Sequence, residues 1–219
     1  MGKLILVRHG HTPLNGHGDD ERLRAWMDVP LDSEGLLEAT ETSRRLAGYS
    51  VSAIYSSDLK RARQTAEKIH DSTDAAVFTT DELRPWNLGI FAGQFLREII
   101  PFLTLLNENP NLPAPNGESF QQFYHRFSHC LTNLMKVADE ATGNVVAVTH
   151  VRNLLAARNI LGHGDIQRVP TQGGPSTGSL TIVETVGNSI RLYSDESTAP
   201  TETRADLPGT VIENVLWAS

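Results

Sequence analysis

Short apolar segments alternate along this chain with segments of helical periodicity, and this alternation restricts the folds available to it. Lys3–Val7 is a nearly continuous apolar run, which is typical of a strand buried on both faces of a parallel sheet. Similar runs occur at Val51–Tyr55, Ala75–Phe78 and Asn144–Thr149. Strands that alternate with helices predict an α/β fold, a three-layer α/β/α sandwich with a mainly parallel central sheet.

The later part of the chain adds two helical patterns and a pair of strands. The clearest helix follows Ser119, which has a glutamine three residues later and so carries the signature of a capping box. Phe95–Asn107 is a second helical pattern, in which Pro101 predicts a break or a kink. Ser179–Glu184 and Ser189–Tyr193 predict a terminal hairpin.

The length of 219 residues suits a single α/β domain. We assign residues 1–196 to this domain and residues 197–219 to a C-terminal tail, since Ser197–Gly209 has few apolar residues and two prolines. The apolar segment Val211–Trp217 is a candidate for docking back on the domain.

Charge and composition exclude several classes of protein. The formal net charge of −7 argues against general binding to nucleic acid or to an anionic membrane. The single cysteine, Cys130, cannot form an internal disulfide, which favours a reducing compartment. No apolar run approaches the roughly 18 residues of a membrane-spanning helix, and the N-terminal run is too short for a signal peptide. We therefore expect a cytoplasmic protein, with its oligomeric state left open.

Reactive side chains follow each of the first four predicted strands: His9, Arg61, Glu82 and His150. Because the carboxyl ends of parallel strands meet at one edge of a sheet, we expect these side chains to share a site. Guanidinium groups bind phosphate oxygens, and neutral imidazole is a competent nucleophile. Arg8 and Arg61 are expected to keep His9 neutral by lowering its pKa. The set predicts an enzyme that acts on phosphate monoesters through a histidine intermediate.

Five segments in order along the chain carry a family resemblance. Leu6–Thr12 reads LVRHGHT and resembles the LVRHGxT signature of the histidine phosphatase superfamily, in its phosphoglycerate-mutase-like branch. The other matching segments are Arg24–Leu31 followed by Gly35 (R-x-G-W-x-D-x-P-L-…-G), Ser56–Ala66 (SSDLxRAxQTA), Pro115–Ser119 (PxGES) and Val148–His150 (VTH). The resemblance spans roughly residues 3–160, which makes it specific.

The resemblance implies a doubly wound α/β sandwich with its site at the strand ends. It also implies that His9 becomes a phosphohistidine during turnover. Arg8, Arg61 and His150 would hold the phosphoryl group. Asn15 would line the pocket. The implied activity is that of a metal-independent phosphatase, which needs no cofactor and hydrolyses small phosphate monoesters.

The chain departs from the family pattern at two places. The branch commonly has a glutamate as proton donor where this chain has Pro85, and proline cannot donate a proton. Glu82 is the expected substitute, and Glu118 is the second candidate. The branch often has two small residues after the second histidine, but the second position after His150 is Arg152. Arg152 is expected to face the pocket and to bind an additional anionic group.

Three other functions stay open at this point. A phosphoglycerate-type mutase shares the same core but retains the phosphoryl group. A non-catalytic module that binds a phosphorylated ligand is motivated by the missing glutamate. His9 and His11 after the first strand also resemble the H-x-H metal pair of metallohydrolases, although Arg8 beside them disfavours a divalent cation.

Overall fold

A computed structural model of the chain describes residues 2–16, 18–162, 173–186 and 189–195. The predicted tail, residues 197–219, lies outside the described residues, so both its boundary and the docking of Val211–Trp217 stay predictions.

The described residues form six strands and five longer helices, in the order expected. The strands are β1 (Leu4–Arg8), β2 (Val51–Ser57), β3 (Ala76–Thr80), β4 (Asn144–Thr149), β5 (Leu180–Val186) and β6 (Ser189–Asp195). The helices are α1 (Ser33–Leu46), α2 (Lys60–Thr73), α3 (Leu96–Glu108), α4 (Phe120–Glu140) and α5 (Val151–Ile160). Short 3-10 helices occur at Gly18–Asp20, Asp81–Leu83 and Gly89–Phe91. The α/β alternation predicted from the sequence is confirmed.

The strands form one sheet in the order β3-β2-β4-β1-β5-β6. The first four strands are mutually parallel, whereas β5 runs antiparallel to β1, and β6 antiparallel to β5. The centre of the sheet is the pair β1 and β4, in which Arg8 lies opposite Thr149. The residues that follow these two strands, His9 and His150, therefore leave the sheet side by side.

Alternate residues of β1 point to opposite layers, as a strand with two buried faces requires. Leu4 and Leu6 belong to the apolar core under α4 and α5, whereas Ile5 and Val7 belong to the core under α1 and α2. All four are at most 1% exposed. These two cores make the sheet the middle of three layers, so the predicted sandwich is confirmed.

Helix α3 runs through Pro101 without interruption, although that residue predicted a break or a kink. Proline lacks the N–H that would reach the carbonyl four residues earlier. Three side chains on one face of the helix, Ile99, Leu103 and Leu106, are buried in the core. We attribute the continuity to this burial, since each such side chain contributes about 1.5–3 kcal/mol. None of the described helices combines the length and apolar content needed to cross a bilayer.

Candidate active site

A pocket lies at the carboxyl edge of the sheet, where β1 and β4 end. His9 and His150 both line it, and their ring centroids are 5.0 Å apart at an angle of 61°. Each histidine is only 2% exposed. The backbone N–H of His9 donates to the carbonyl of Thr149 at 3.0 Å, which extends the strand pairing into the site.

The ring of His9 is oriented by its own loop. Nδ1 lies 2.7 Å from the carbonyl oxygen of Gly10. Since a carbonyl only accepts, Nδ1 carries the proton, and Nε2 of the neutral ring keeps its lone pair. Burial lowers the pKa of His9 well below its ordinary value, and the charges of Arg61 and Arg8 lower it further. The ring is therefore neutral at physiological pH, as the sequence predicted.

His150 contributes a second neutral ring. Burial, followed by the charge of Arg61 and the proximity of His9, lowers its pKa well below the ordinary value. Neither of its ring nitrogens has a hydrogen-bond partner among the described residues. Buried polar atoms are normally paired, so these atoms mark a place where a polar ligand fits.

Arg61, in the first turn of α2, is fixed by two backbone carbonyls. Its Nη1 donates to Met27 at 2.7 Å and its Nη2 to Ala25 at 2.9 Å, while its Nε has no partner in the described part of the chain. Ala25 has φ of 40°, a left-handed conformation that glycine adopts at no steric cost. When the W-x-D-x-P-L part of the resembled pattern is aligned with Trp26–Leu31, its glycine falls at this position, so the backbone explains the motif.

The start of α2 is capped from a distant part of the sequence. The residue at the cap position is Leu59, which makes no side-chain hydrogen bond. The N–H of Lys60 donates instead to Oδ1 of Asp28 at 2.7 Å. Residues 25–28 and the first turn of α2 thus hold each other in place around Arg61.

Further guanidinium groups lie in the pocket or beside it. Arg24 and Arg152 line the pocket. Arg24 is 9% exposed, and its Nη1 has no partner among the residues described. Arg8 is not in the lining, but its Nη1 donates to the carbonyl of Pro175 and its charge acts on His9.

These guanidinium groups lower one another's pKa. Burial lowers the pKa of Arg8 to about 10, that of Arg61 to about 9 and that of Arg152 to about 10, and the charge of Arg24 acts in the same direction on each. All three groups are still protonated near pH 7. A bound anion would relieve the repulsion among them, which makes the pocket a strong anion site.

The structure brings His9, Arg61, His150 and Arg152 into one pocket, with Arg8 beside it, but it does not bring Asn15 there. Oδ1 of Asn15 accepts hydrogen bonds from the backbone N–H and the hydroxyl of Thr12. Asn15 is not among the lining residues, so its observed role is to fold the loop after β1.

The two carboxylates expected to supply a proton lie elsewhere. Glu82 lies in the 3-10 helix Asp81–Leu83 that follows β3, and its Oε1 is 3.6 Å from Nδ1 of His129 on α4. Oε1 of Glu118 accepts from Nη2 of Arg126 at 2.7 Å and from the backbone N–H of Asn87 at 2.9 Å. Neither glutamate lines the pocket. The expectation that Glu82 sits at the shared site is therefore corrected by the fold.

Glu21 is a pocket residue that the sequence analysis missed. It lines the pocket together with Pro85, which occupies the position of the usual family glutamate. The sequence does not single out Glu21 as a pocket residue, because it ends the acidic run Asp19-Asp20-Glu21 and such runs are usually solvated. Its position just before Arg24, the start of the second matching segment, was the available clue.

The two members of the H-x-H pair face different partners. Nδ1 of His11 lies 2.7 Å from Oδ2 of Asp32, and its Nε2 lies 2.8 Å from the carbonyl of Asn15. His9 faces the pocket instead. Within the described ranges, no group of three or more histidine, cysteine, aspartate and glutamate side chains is arranged to hold a metal ion.

Comparison with known proteins points to one family. The chain matches the histidine phosphatase superfamily (branch 1) over residues 4–195. It is 28% identical over 210 residues to "Probable phosphoglycerate mutase GpmB" of Klebsiella pneumoniae, which covers 88% of this chain and 95% of that protein. It is 32% identical over 157 residues to phosphoglycerate mutase-like protein 4 of Arabidopsis thaliana, which covers 68% of this chain and 66% of that protein.

A solved structure with the same fold contains an oxyanion of vanadium. The mycobacterial glucosyl-3-phosphoglycerate phosphatase, in complex with VO3, is similar at a TM-score of 0.72 and 28% identity. The match covers 89% of this chain and 98% of that one. The likeness extends over nearly the whole of that protein.

Proposed function

Since this chain belongs to the histidine phosphatase superfamily (branch 1), we propose that it is a phosphatase, which hydrolyses small phosphate monoesters through a phosphohistidine on His9. The observation that carries the proposal is the state of the His9 ring. Nδ1 is tied to the Gly10 carbonyl, which leaves Nε2 as a neutral nucleophile among buried guanidinium groups.

In the first step, Nε2 of His9 attacks phosphorus in line with the leaving oxygen. The N–P bond forms, the P–O bond breaks, and the leaving oxygen keeps the electron pair and takes up a proton. Arg8, Arg61 and His150 stabilise the charge on the three remaining oxygens. The unpaired atoms at this place, Nε of Arg8, Nε of Arg61 and the nitrogens of His150, supply N–H donors and polar contacts that a phosphoryl group can satisfy.

In the second step, water attacks the phosphohistidine, the N–P bond breaks, and inorganic phosphate leaves. Nε2 of His9 recovers its lone pair. The guanidinium groups neutralise the phosphoryl charge in both steps, so the reaction as proposed requires no metal ion and no cofactor.

The charge of the pocket supports a substrate with a second anionic group. The guanidinium groups of Arg8, Arg24, Arg61 and Arg152 outnumber the roughly two negative charges of a phosphate monoester. Arg152 lies in the first turn of α5, directly after His150, and we assign the second anionic group to it. The names of the three similar proteins all refer to phosphoglycerates, which supports the same assignment.

A phosphoglycerate-type mutase is the second candidate, because two of those relatives carry that name. The two activities differ in their products. A phosphatase releases inorganic phosphate from a phosphoglycerate, whereas a mutase returns the isomeric monoester. Phosphorus NMR of the reaction mixture separates them, and an isomer without free phosphate would replace the phosphatase proposal.

The cellular compartment and the kind of partner are proposed from composition. The net charge of −7 disfavours a nucleic-acid partner, and the single cysteine, Cys130, is buried and unpaired. These features support an enzyme of the reducing cytoplasm whose partner is a small phosphorylated molecule.

Trapping of the intermediate tests the mechanism. Rapid acid-free quenching of the wild type with a radiolabelled aryl phosphate should leave label that is stable in alkali and labile in acid. His9→Ala should remove both label and turnover while the unfolding midpoint stays close to the wild type, because the residue follows the strand. His129→Ala, at an exposed histidine, is the matched control and should retain both. An unlabelled wild-type protein with full turnover would contradict the phosphohistidine.

A further inference from the structure

We propose that Glu21 is the proton donor to the leaving oxygen, in place of the glutamate that Pro85 replaces. This inference rests on the phosphohistidine mechanism proposed above. Among the described residues that line the pocket, Glu21 is the one carboxylate. Pro85 lines the same pocket, so Glu21 shares a cavity with the position from which the proton usually comes.

The carboxylates of the other acidic candidates contact other parts of the protein. Glu118 is held by Arg126 and by the backbone of Asn87, and Glu82 faces His129 on α4. Asp28 caps α2 through the N–H of Lys60. Each of these carboxylates has a structural contact away from the reacting centre.

The backbone at Glu21 is hydrogen-bonded to the start of α3, whereas a run of charged residues is usually solvated. The carbonyl of Glu21 accepts from the N–H of Leu96 at 2.8 Å, and the next residue, Arg22, pairs as an isolated antiparallel bridge with Phe95. The guanidinium of Arg22 lies 3.7 Å from the centre of the Phe95 ring and donates to the carbonyl of Gly93. The carboxylate of Glu21 is thus carried on an ordered segment at the rim.

Two features of the side chain suit proton transfer. It is 35% exposed, so it can exchange protons with solvent between turnovers. Its Oε1 contacts Nη2 of Arg24 at a long 3.3 Å, and Nη1 of the same guanidinium has no described partner. Arg24 can therefore turn toward an incoming phosphate.

Substrate binding then changes the balance of charge at Glu21. Burial lowers the pKa of Arg8, Arg24 and Arg152, and the Glu21 carboxylate opposes that shift in each, which places it within electrostatic reach of all three. A bound phosphate dianion takes over that neutralising role, which releases the carboxyl of Glu21 from its guanidinium partners.

The proton balance closes over the two steps. When Nε2 of His9 displaces the leaving oxygen, the carboxyl of Glu21 gives that oxygen its proton and becomes a carboxylate. In the second step, the carboxylate accepts a proton from the attacking water. The acid is regenerated when phosphate forms, and no other reactant is consumed.

Glu21→Gln tests the assignment with two substrates of different leaving group. Glutamine keeps an oxygen for Arg24 but has no proton to give, so hydrolysis of an alkyl phosphate should slow by roughly 10²–10⁴-fold. The kcat/KM for 4-nitrophenyl phosphate should change little, because its leaving group is stable as an anion and kcat/KM reports only the steps up to the loss of that group. A fall in kcat alone on this substrate would come from the second step, in which Glu21 accepts the proton of the attacking water. Glu82→Gln is the matched control and should leave both rates unchanged.

Two results would overturn the assignment. An equal loss of kcat/KM on both substrates would mean that Glu21 acts by holding Arg24, and no loss on either would mean that it takes no part. The phosphohistidine is measured in the same samples: Glu21→Gln should still label from 4-nitrophenyl phosphate. Absence of label in the wild type would instead reject the mechanism itself, so the two failures are distinguishable.

Discussion

The ring of His11 lies between two hydrogen-bond acceptors, Oδ2 of Asp32 at 2.7 Å and the carbonyl of Asn15 at 2.8 Å. Neither oxygen donates while Asp32 is ionised, so both contacts are hydrogen bonds only when the ring carries two protons. Burial acts to lower the pKa of His11, but the hydrogen bonds and the charge of Asp32 outweigh it, and the pKa is raised. The perturbation is His11→Gln, which removes the titrating charge.

The expected magnitude follows from the burial of the pair. The side chains of His11 and Asp32 are 16% and 24% exposed, so solvent weakens their interaction only in part. Hydrogen bonds to charged groups contribute about 1.5–3 kcal/mol, and His11→Gln should lower the free energy of unfolding by about that amount near pH 5.5.

The sign of the pH dependence follows from the raised folded pKa of His11. Its contribution is complete below the unfolded value of about 6.5 and is lost as pH rises through the folded value. Asp32 behaves in the opposite sense. Burial acts to raise its pKa, but the hydrogen bonds from the Gly35 N–H and from His11 lower it, so its contribution is lost as pH falls below about 3.9. The difference between wild type and variant should therefore shrink near pH 9.

Urea unfolding followed by circular dichroism at about pH 5.5 and about pH 9 measures this difference. His129→Gln is the control, because its ring is 71% exposed and 3.6 Å from the nearest carboxylate oxygen of Glu82. That variant should match the wild type at both pH values. A difference for His11→Gln that stays constant, or grows, with rising pH would refute a doubly protonated ring.

Two further predictions concern the pocket. Arg152→Gln should raise KM about 10-fold or more for a phosphate monoester that carries a carboxylate, as expected for the loss of a charged hydrogen bond, and should change KM for 4-nitrophenyl phosphate little. Arg158→Gln on the same helix is the control and should change neither KM. An equal rise in KM on both substrates would contradict the assignment. Turnover should persist in a strong chelator, because guanidinium groups neutralise the phosphate; a rate lost on chelation and restored by zinc or manganese would favour a metallohydrolase.

The positions of the two histidines could be predicted from the sequence because they depend on local order. Each directly follows an apolar run, and a buried parallel strand ends at the same edge as its neighbours. The pairing of β1 with β4 then sets His9 beside His150. The family resemblance adds the roles but not the contacts.

The proton donor could not be predicted, since it depends on which layer each loop faces. Glu82 follows a strand as His9 does, yet β3 lies at the edge of the sheet, and the residue turns toward His129 on α4. Glu21 lies far from any strand end in sequence and reaches the pocket because its segment pairs with residues 94–96. The cap of α2 by Asp28 was hidden for the same reason, because it joins residues 32 positions apart.

The two hydrogen bonds that fix Arg61 decide which inactive variant can serve as the reference protein for capturing a substrate. Its guanidinium donates to the carbonyls of Ala25 and Met27, so a shorter side chain there would release the segment that carries Arg24 as well as empty an anion contact. A protein inactivated at Arg61 would no longer present the same cavity to a candidate substrate. For capturing the natural substrate from a cell extract, the reference should instead be made at His9, whose ring is hydrogen-bonded to the Gly10 carbonyl of its own loop and whose loss leaves the surrounding guanidinium groups in place.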